Sequence, residues 1–388
     1  MKPPEGDCFA FVAGGGTAGH VAPAVRVAGE LARRHPGQSV RLVAAERGSG
    51  RELIDSSGLP YTLLPGRGLR RSWSFEAIGS NAHAMWDLAR AIVRSLRTLA
   101  AERPRVVVTM GGFASIAPAL GALVTGVPVV VVNVDAVPGA ANRLVSRFAR
   151  ASAVAWPGTE MARATLTGAP VAASLEDLAL RARPPLPGDP ERAAAREALG
   201  LARERQVVAV FGGSLGARRL NEAAGGLAHI WADRSDRSIY HVTGQRDAGI
   251  AAAWRPDLEE GGLCYVQVPY EHRMRLLYLA ADLVVCRAGA MTVSELALAG
   301  VPSVLVPLPR APGDHQRANA RVLERAGAAV VIDDASCSAV HLAEVVDGLL
   351  ADGQRMDSMA MAAAALGRPG AAEAIGALVD QVASGAPA

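Results

Sequence analysis

Twice along this chain an apolar run of strand length ends in a glycine-rich turn that opens into a helical pattern, and few folds accept that arrangement. Cys8 to Ala13 leads into Gly14-Gly15-Gly16-Thr17-Ala18-Gly19-His20 and a helical pattern from about Pro23 to Arg34. Val207 to Phe211 leads into Gly212-Gly213-Ser214-Leu215-Gly216-Ala217-Arg218 and a helix from about Leu220. Each has the form of the first βα unit of a doubly wound sheet. Further strands are expected at Val40 to Ala44, Val106 to Met110, Val127 to Val134 and Ala151 to Ala155, then at Ser238 to Thr243, Leu263 to Val268, Leu283 to Cys286, Ser303 to Val306 and Ala328 to Ile332. Continuous runs such as Pro128-Val129-Val130-Val131-Val132 suit parallel strands covered on both faces.

A length of 388 residues exceeds one ordinary core and suits two domains. The stretch 175–206, rich in proline and charge, is expected to be an interdomain linker followed by a short helix. The fold class implied is α/β, two Rossmann-like doubly wound domains in series with an interdomain cleft. Ligands of such sheets bind outside the carboxyl ends of the strands, where the glycine turns fall.

A third turn, in 283–307, carries the most chemistry. Leu283 to Cys286 runs into Arg287-Ala288-Gly289-Ala290, a helix is expected to open at Thr292-Val293-Ser294-Glu295, and a further strand follows Gly300. Such a helix start presents backbone N–H groups and roughly half a positive charge to an anion. Glu295 has two readings: a first-turn carboxylate pairing with the helix dipole, worth a few tenths of a kcal/mol, or a clamp on a ribose diol.

Composition narrows the partners. Basic residues number 40 and acidic residues 37, a balance too even to argue for nucleic acid. Cys8, Cys264, Cys286 and Cys337 have neither zinc nor disulfide spacing, which fits a cytosolic protein. No apolar run approaches the roughly 18 to 20 residues that cross a bilayer, and Glu5 and Asp7 stand where a signal peptide carries basic residues. The chain is expected neither to span a membrane nor to be exported.

Gly14, Gly16 and Gly19 satisfy GxGxxG, so an NAD(P)-dependent oxidoreductase is one reading. The acidic residue such a site wants about 20 residues on is late, since Glu46 lies 30 residues after Gly16. A dehydrogenase also gives no reason for the turns at 212–218 and 287–295. A transferase using a nucleotide-diphosphate sugar explains all three. Its leaving group is stabilised by metal ions or by helix starts and hydroxyls, and no Asp-x-Asp occurs in the chain. A metal-free route with no cofactor is therefore expected.

Six ordered motifs carry a resemblance: GGTAGHVAPA (15–24), MGGFAS (110–115), PGAANR (138–143), FGGSLGARRLN (211–221), CRAGAMTVSELALAG (286–300) and HQRANA (315–320). With them the chain resembles the MurG group of glycosyltransferase family 28, which has the GT-B fold. The resemblance spans Gly14 to about Leu366. It implies an inverting, metal-independent transfer of N-acetylglucosamine from its UDP donor to a muramyl peptide on a polyprenyl diphosphate, at the cytoplasmic membrane face, in peptidoglycan lipid II formation. It implies an acceptor-binding domain over 1–166, a nucleotide-sugar domain over 167–366, and a C-terminal helix at about 367–388 packed back on the first domain.

Carried over residue by residue, the resemblance implies donor contacts from Thr17, Ala18, Gly19, Ser214, the main chain around Glu271, Ala290, Met291, Thr292, Val293, Ser294, Glu295 and Gln316. Glu295 would hold the ribose hydroxyls, and Gln316, able to donate and accept, a sugar hydroxyl. The acceptor falls to Gly16, His20, Gly111, Gly112, Phe113 and Asn142. His20 is the first candidate for general base, with His272 and His315 weaker.

The chain departs from the family pattern at several places. Val132-Asn133-Val134-Asp135 replaces His-Glu-Gln-Asn, Ala172 stands where the family has Arg, Leu215 where it has Gln, and Phe113 where many members have Tyr. Asp135 is a second candidate base, which the usual Asn is not. A related enzyme that glycosylates a specialised lipid-phosphate or natural-product acceptor is the alternative these changes allow. Finally, 67–97 mixes Arg67, Arg70, Arg71, Trp73, Phe75, Ile78, Trp86, Arg90, Arg94 and Arg97. That composition is expected to dock on an anionic bilayer, its competitor being a helix that buries Trp86, Ile92 and Val93 in the core.

Overall fold

The computed structural model describes residues 8–15, 18–46, 50–65, 75–185, 188–213, 217–309 and 311–386, with the side chains of Ala18, 75–83 and Pro312 left aside. Two compact units result, one of Met1–Ala173 with Gly370–Ala388 and one of Ser174–Pro369. Each is built on a wholly parallel sheet.

The first sheet contains β1 (Cys8–Ala13), β2 (Ser39–Ala45), β3 (Tyr61–Leu64), β4 (Val106–Thr109), β5 (Val129–Asn133), β6 (Ala151–Val154) and β7 (Ala164–Leu166), in the order β3-β2-β1-β4-β5-β6-β7. Strands β1, β4, β5 and β6 are buried throughout, because apolar cores lie on both faces of the sheet. The C-terminal helix Ala371–Ala383 closes one of them. Ile375, Leu378, Val379 and Val382 recur at helical spacing and are buried with β1 and the helix Ala18–Arg34. Arg34 Nε to Asp380 at 2.8 Å and Arg26 to Glu373 at 3.0 Å tie the two helices at their rims.

The second sheet contains β8 (Gln206–Phe211), β9 (Arg237–Val242), β10 (Cys264–Val268), β11 (Leu283–Cys286), β12 (Ser303–Leu305) and β13 (Ala329–Val331), in the order β10-β9-β8-β11-β12-β13. Both sheets thus reverse direction beside their first strand, at β1/β4 and at β8/β11. That point is where doubly wound sheets bind ligands.

The stretch expected to be a linker is instead bound to the second unit. Its helix Pro190–Ala198 is capped by Asp189, whose carboxylate accepts from the N–H groups of Glu191 and Arg192. Arg192 and Arg196 reach Asp282 at 2.6 and 2.8 Å, and the same carboxylate accepts from Val207 N at 2.6 Å. Proline and charge here mark a capped helix and an ion-pair cluster at the start of β8 and β11. Asp282→Ala strands the buried Arg196 guanidinium, and urea denaturation is expected to show a loss of about 3 kcal/mol.

Candidate functional site

In the first unit Ala13 of β1 is in register with Thr109 of β4, so both chains leave the sheet side by side. The following turns close on each other. A Cβ on Gly112 (φ 79°) would lie 2.9 Å from the Gly15 Cα, so a side chain there would both strain the backbone and push the turns apart. His20 lies against them, its Cγ 3.3 Å from where a Gly15 Cβ would stand. The helix bearing His20 begins at Ala18 rather than near Pro23, and Pro23 sits inside it. His20 is therefore in the first helical turn. Pro23 lacks the N–H that would otherwise bond the Gly19 carbonyl.

Gly111 (φ 85°) is equally constrained, since its Cβ would stand 2.9 Å from Asn142 Oδ1. Asn142 is buried and donates to Asn133 Oδ1 at 3.0 Å, and Asn133 donates to the Asp135 carbonyl at 2.6 Å. A continuous set of contacts thus pins Asp135 to the Gly111 turn. Gly111, Gly112, Asn142 and Asp135 come together with His20 at the ends of β1, β4 and β5, and Phe113 opens the short turn Phe113–Ser115 that follows. His20 and Asp135 are both partly open to solvent. Gly16 and Thr17 lie outside the described residues; Gly19 is exposed beside them, and Ala18 is described by backbone alone.

In the second unit Phe211 of β8 is in register with Cys286 of β11, so Gly212 and Arg287 also emerge side by side. Gly212 must be glycine, because a Cβ would fall 2.2 Å from that of Ala217. Ser214 and Leu215 lie outside the described residues. Two helices start here, Arg218–Ile230 and Ala290–Ala299, and neither has a side chain hydrogen-bonded as its N-cap. Their first N–H groups carry the positive ends of two helix dipoles and are suited to an anion. Buried Arg287 bonds Val306 O at 3.0 Å and Asp334 at 2.7 Å, which fixes the loop after β12. In that loop Leu308 N donates to Gln316 Oε1 at 2.9 Å, so Gln316 is anchored rather than loose at the start of its helix His315–Arg325.

Glu295 calls for a correction. Gly289 is the extended N-cap and the helix opens at Ala290, not Thr292, which places Glu295 in the second turn. Dipole pairing falls off within the first turn, so that explanation of the carboxylate does not hold. Instead Tyr278 donates its hydroxyl to Glu295 Oε2 at 2.7 Å. Burial pushes the Glu295 carboxyl up to about 7, against the pull of the Tyr278 hydrogen bond. Along 290–295, Val293 and Ser294 are buried, and Ser294 Oγ donates to Ala290 O at 2.9 Å. Ala290, Met291, Thr292 and Glu295 keep some exposure. A carboxylate with one neutral donor keeps lone pairs for the two hydroxyls of a vicinal diol.

The Glu271 carboxylate is spent internally. It accepts from Tyr240 and from Arg273 N at 2.6 Å; burial pushes its carboxyl up, but the bonds from Arg273 and Tyr240 prevail and bring it to about 2. Its side chain is thus committed within the protein. His272 is exposed and lies against Tyr270, the ring centroids 4.6 Å apart and the rings tilted by 59°. Tyr278, Asn133 and Asn319 carry no role expected from the sequence; the Asn319 amide donates to Ala288 O at 3.3 Å. The one available signal was a tyrosine inside the apolar run at 276–280, since a buried phenol needs a partner.

Residues 10–154 match the glycosyltransferase family 28 N-terminal domain and residues 207–375 its C-terminal domain. A protein of Desulforudis audaxviator named UDP-N-acetylglucosamine--N-acetylmuramyl-(pentapeptide) pyrophosphoryl-undecaprenol N-acetylglucosamine transferase is 35% identical, over 96% of this chain and 98% of its own. One of Mycobacterium sp. (strain JLS) with the same name is 38% identical over 95% and 94%. The crystal structure of Acinetobacter baumannii MurG superposes with a TM-score of 0.75 at 28% identity, covering 97% of this chain and 99% of that one. With both domains matched and relatives similar over nearly their whole length, this chain, whose fold is GT-B, belongs to glycosyltransferase family 28.

Proposed function

We propose that the protein moves N-acetylglucosamine from UDP-N-acetylglucosamine, with inversion and without a metal ion, to a muramyl-pentapeptide on polyprenyl diphosphate, forming lipid II for peptidoglycan. The observation that carries this reading is the pair of uncapped helix starts beside β8 and β11, with a diol-competent carboxylate at Glu295. The names of the full-length relatives support the choice of sugar and acceptor.

The acceptor hydroxyl attacks the anomeric carbon, its proton passes to His20, and the bond to UDP breaks with its electrons going to the diphosphate. N–H groups from Ala290 to Thr292 stabilise that charge, with Ser214 as a further donor. Glu295 holds the ribose, and Gln316, its oxygen committed to Leu308, offers its amide N–H groups to the sugar. Thr17, Ala18 and Gly19 complete the donor contacts, while Gly16, Gly111, Gly112, Phe113 and Asn142 shape the acceptor side. The test is turnover of purified protein in a chelator, with a panel of UDP-sugars and acceptors. UDP-N-acetylglucosamine with the lipid-diphosphate muramyl-pentapeptide should be the best pair. Turnover with a different lipid-phosphate acceptor alone would assign the chain to specialised glycolipid synthesis instead.

The acceptor's tail stays in the bilayer, so the protein must come to it. Among the described residues no helix is long and apolar enough to cross a membrane. The helix Phe75–Glu102 supports docking instead: Trp86 is 67% and Val93 47% exposed, so neither is core, whereas Ile92 packs inward. Exposed Arg90, Arg94 and Arg97 recur at helical spacing with them, and Leu123 and Val124 on the helix Ile116–Thr125 add exposed apolar surface. Arg67, Arg70, Arg71 and Trp73 lie outside the described residues, and Phe75 and Ile78 are described by backbone alone. This stripe is proposed to bind the inner face of the cell membrane. Arg90→Glu with Arg97→Glu should weaken co-sedimentation with anionic phospholipid vesicles about thirtyfold or more, at roughly 1 kcal/mol per arginine. Unchanged binding would overturn it.

A further inference from the structure

Tyr278 lies beside the proposed nucleotide residues and has no part in the reaction as described. It is 1% exposed in the helix Met274–Ala280. Its ring stands edge-on to Phe211, the last residue of β8, with centroids 6.2 Å apart and an interplanar angle of 74°. Its hydroxyl donates to Glu295 Oε2 at 2.7 Å. One buried side chain therefore links the strand before the Gly212 turn to the carboxylate on the helix after the Arg287 turn. We propose that Tyr278 is a positioning residue for the donor: it holds the Glu295 carboxylate in the orientation that accepts both ribose hydroxyls of the nucleotide. This inference rests on the reading of Glu295 as the diol-binding group.

A glutamate is flexible, and fixing it before binding removes an ordering cost the nucleotide would otherwise meet. Tyr278 is suited to this because burial, then the Glu295 charge, pushes its phenol well above the ordinary value. It stays protonated and can only donate to the ionised carboxylate. The bond leaves Oε1 and the remaining lone-pair direction of Oε2 for the diol. Among the described residues the buried Cys286 thiol also feels the Glu295 charge and is held neutral first by burial and then by that charge, with Arg287 acting the opposite way, while Arg183, Asp189, Arg192, Asp282 and Asp357 line a cavity with Tyr278. The helices Gly353–Leu366 and His315–Arg325 bury Met359, Ala360 and Ala363, and Asn319, Ala320 and Leu323, none of which titrates.

The consequence is a pH signature. Burial holds the Glu295 carboxyl up at about 7, so the donor KM should rise as pH falls through that value and the acceptor lone pairs are lost. The Tyr278 bond favours the ionised form, so its removal should move the midpoint to higher pH.

The test compares the wild type, Tyr278→Phe and Glu295→Ala with UDP-N-acetylglucosamine and its 2′-deoxyuridine counterpart across pH. Tyr278→Phe keeps the buried ring and its edge contact. It should raise the donor KM about tenfold, the size of one hydrogen bond to a charged group, and leave kcat and the acceptor KM in place. It should also shift the midpoint upward and reduce the penalty for the missing hydroxyl. A lowered Tm with donor KM and midpoint unchanged, while Glu295→Ala still raises the KM, would make Tyr278 merely structural and overturn the inference. No effect of Glu295→Ala would instead remove the diol reading itself, and this inference with it.

Discussion

Replacing Glu295 by alanine is expected to raise the KM for UDP-N-acetylglucosamine about a hundredfold and to leave kcat at saturating donor nearly unchanged. Two hydroxyls donating to one carboxylate are charge-assisted hydrogen bonds, and their net loss is about 2.8 kcal/mol at a tenfold change per 1.4 kcal/mol. The ribose is remote from the breaking bond and is held alike in ground and transition states. Its loss is therefore uniform binding energy, which appears in KM rather than kcat. Steady-state kinetics with donor varied at saturating acceptor checks this. A large fall in kcat with donor KM unmoved would place Glu295 in the chemical step instead.

Replacing His20 by alanine should give the opposite signature, a kcat lower by about 10² to 10⁴ with a small change in donor KM. That range is what a positioned general base contributes. The imidazole lies in the first turn of its helix, against Gly15 and Gly112, and is partly open to solvent, as a group that must meet an incoming hydroxyl requires. Asp135 is the competitor, tied by its carbonyl to Asn133. Asp135→Asn removes its basicity while sparing that main-chain bond. A silent His20→Ala beside an inactive Asp135→Asn would move the base to Asp135.

The parallel sheets were legible because their inner strands are buried on both faces and must be apolar throughout, as at Val129–Asn133 and Leu283–Cys286. β3 and β7 were not, since they are short edge strands, and β7 is exposed along its length. The first helix start was not legible because proline favours a first turn, whereas Pro23 lies inside the helix Ala18–Arg34. The glycine turns could be found from the chain, but their reasons could not. That Gly111 is packed by Asn142 and Gly112 by Gly15 depends on residues 31 and 97 positions away, set side by side only by the register of β1, β4 and β5. Tyr278 and Glu295 pose the same difficulty. The tyrosine reads as core from its neighbours, and only the packed helix shows where its hydroxyl goes.

The most direct measurement is a crystal structure of the protein with UDP-N-acetylglucosamine in chelator. The account predicts the diphosphate on the N–H groups at Ala290 to Thr292, and both ribose hydroxyls within hydrogen-bonding distance of Glu295. A nucleotide bound away from the ends of β8 and β11, or bound there with its ribose turned from Glu295, would contradict it.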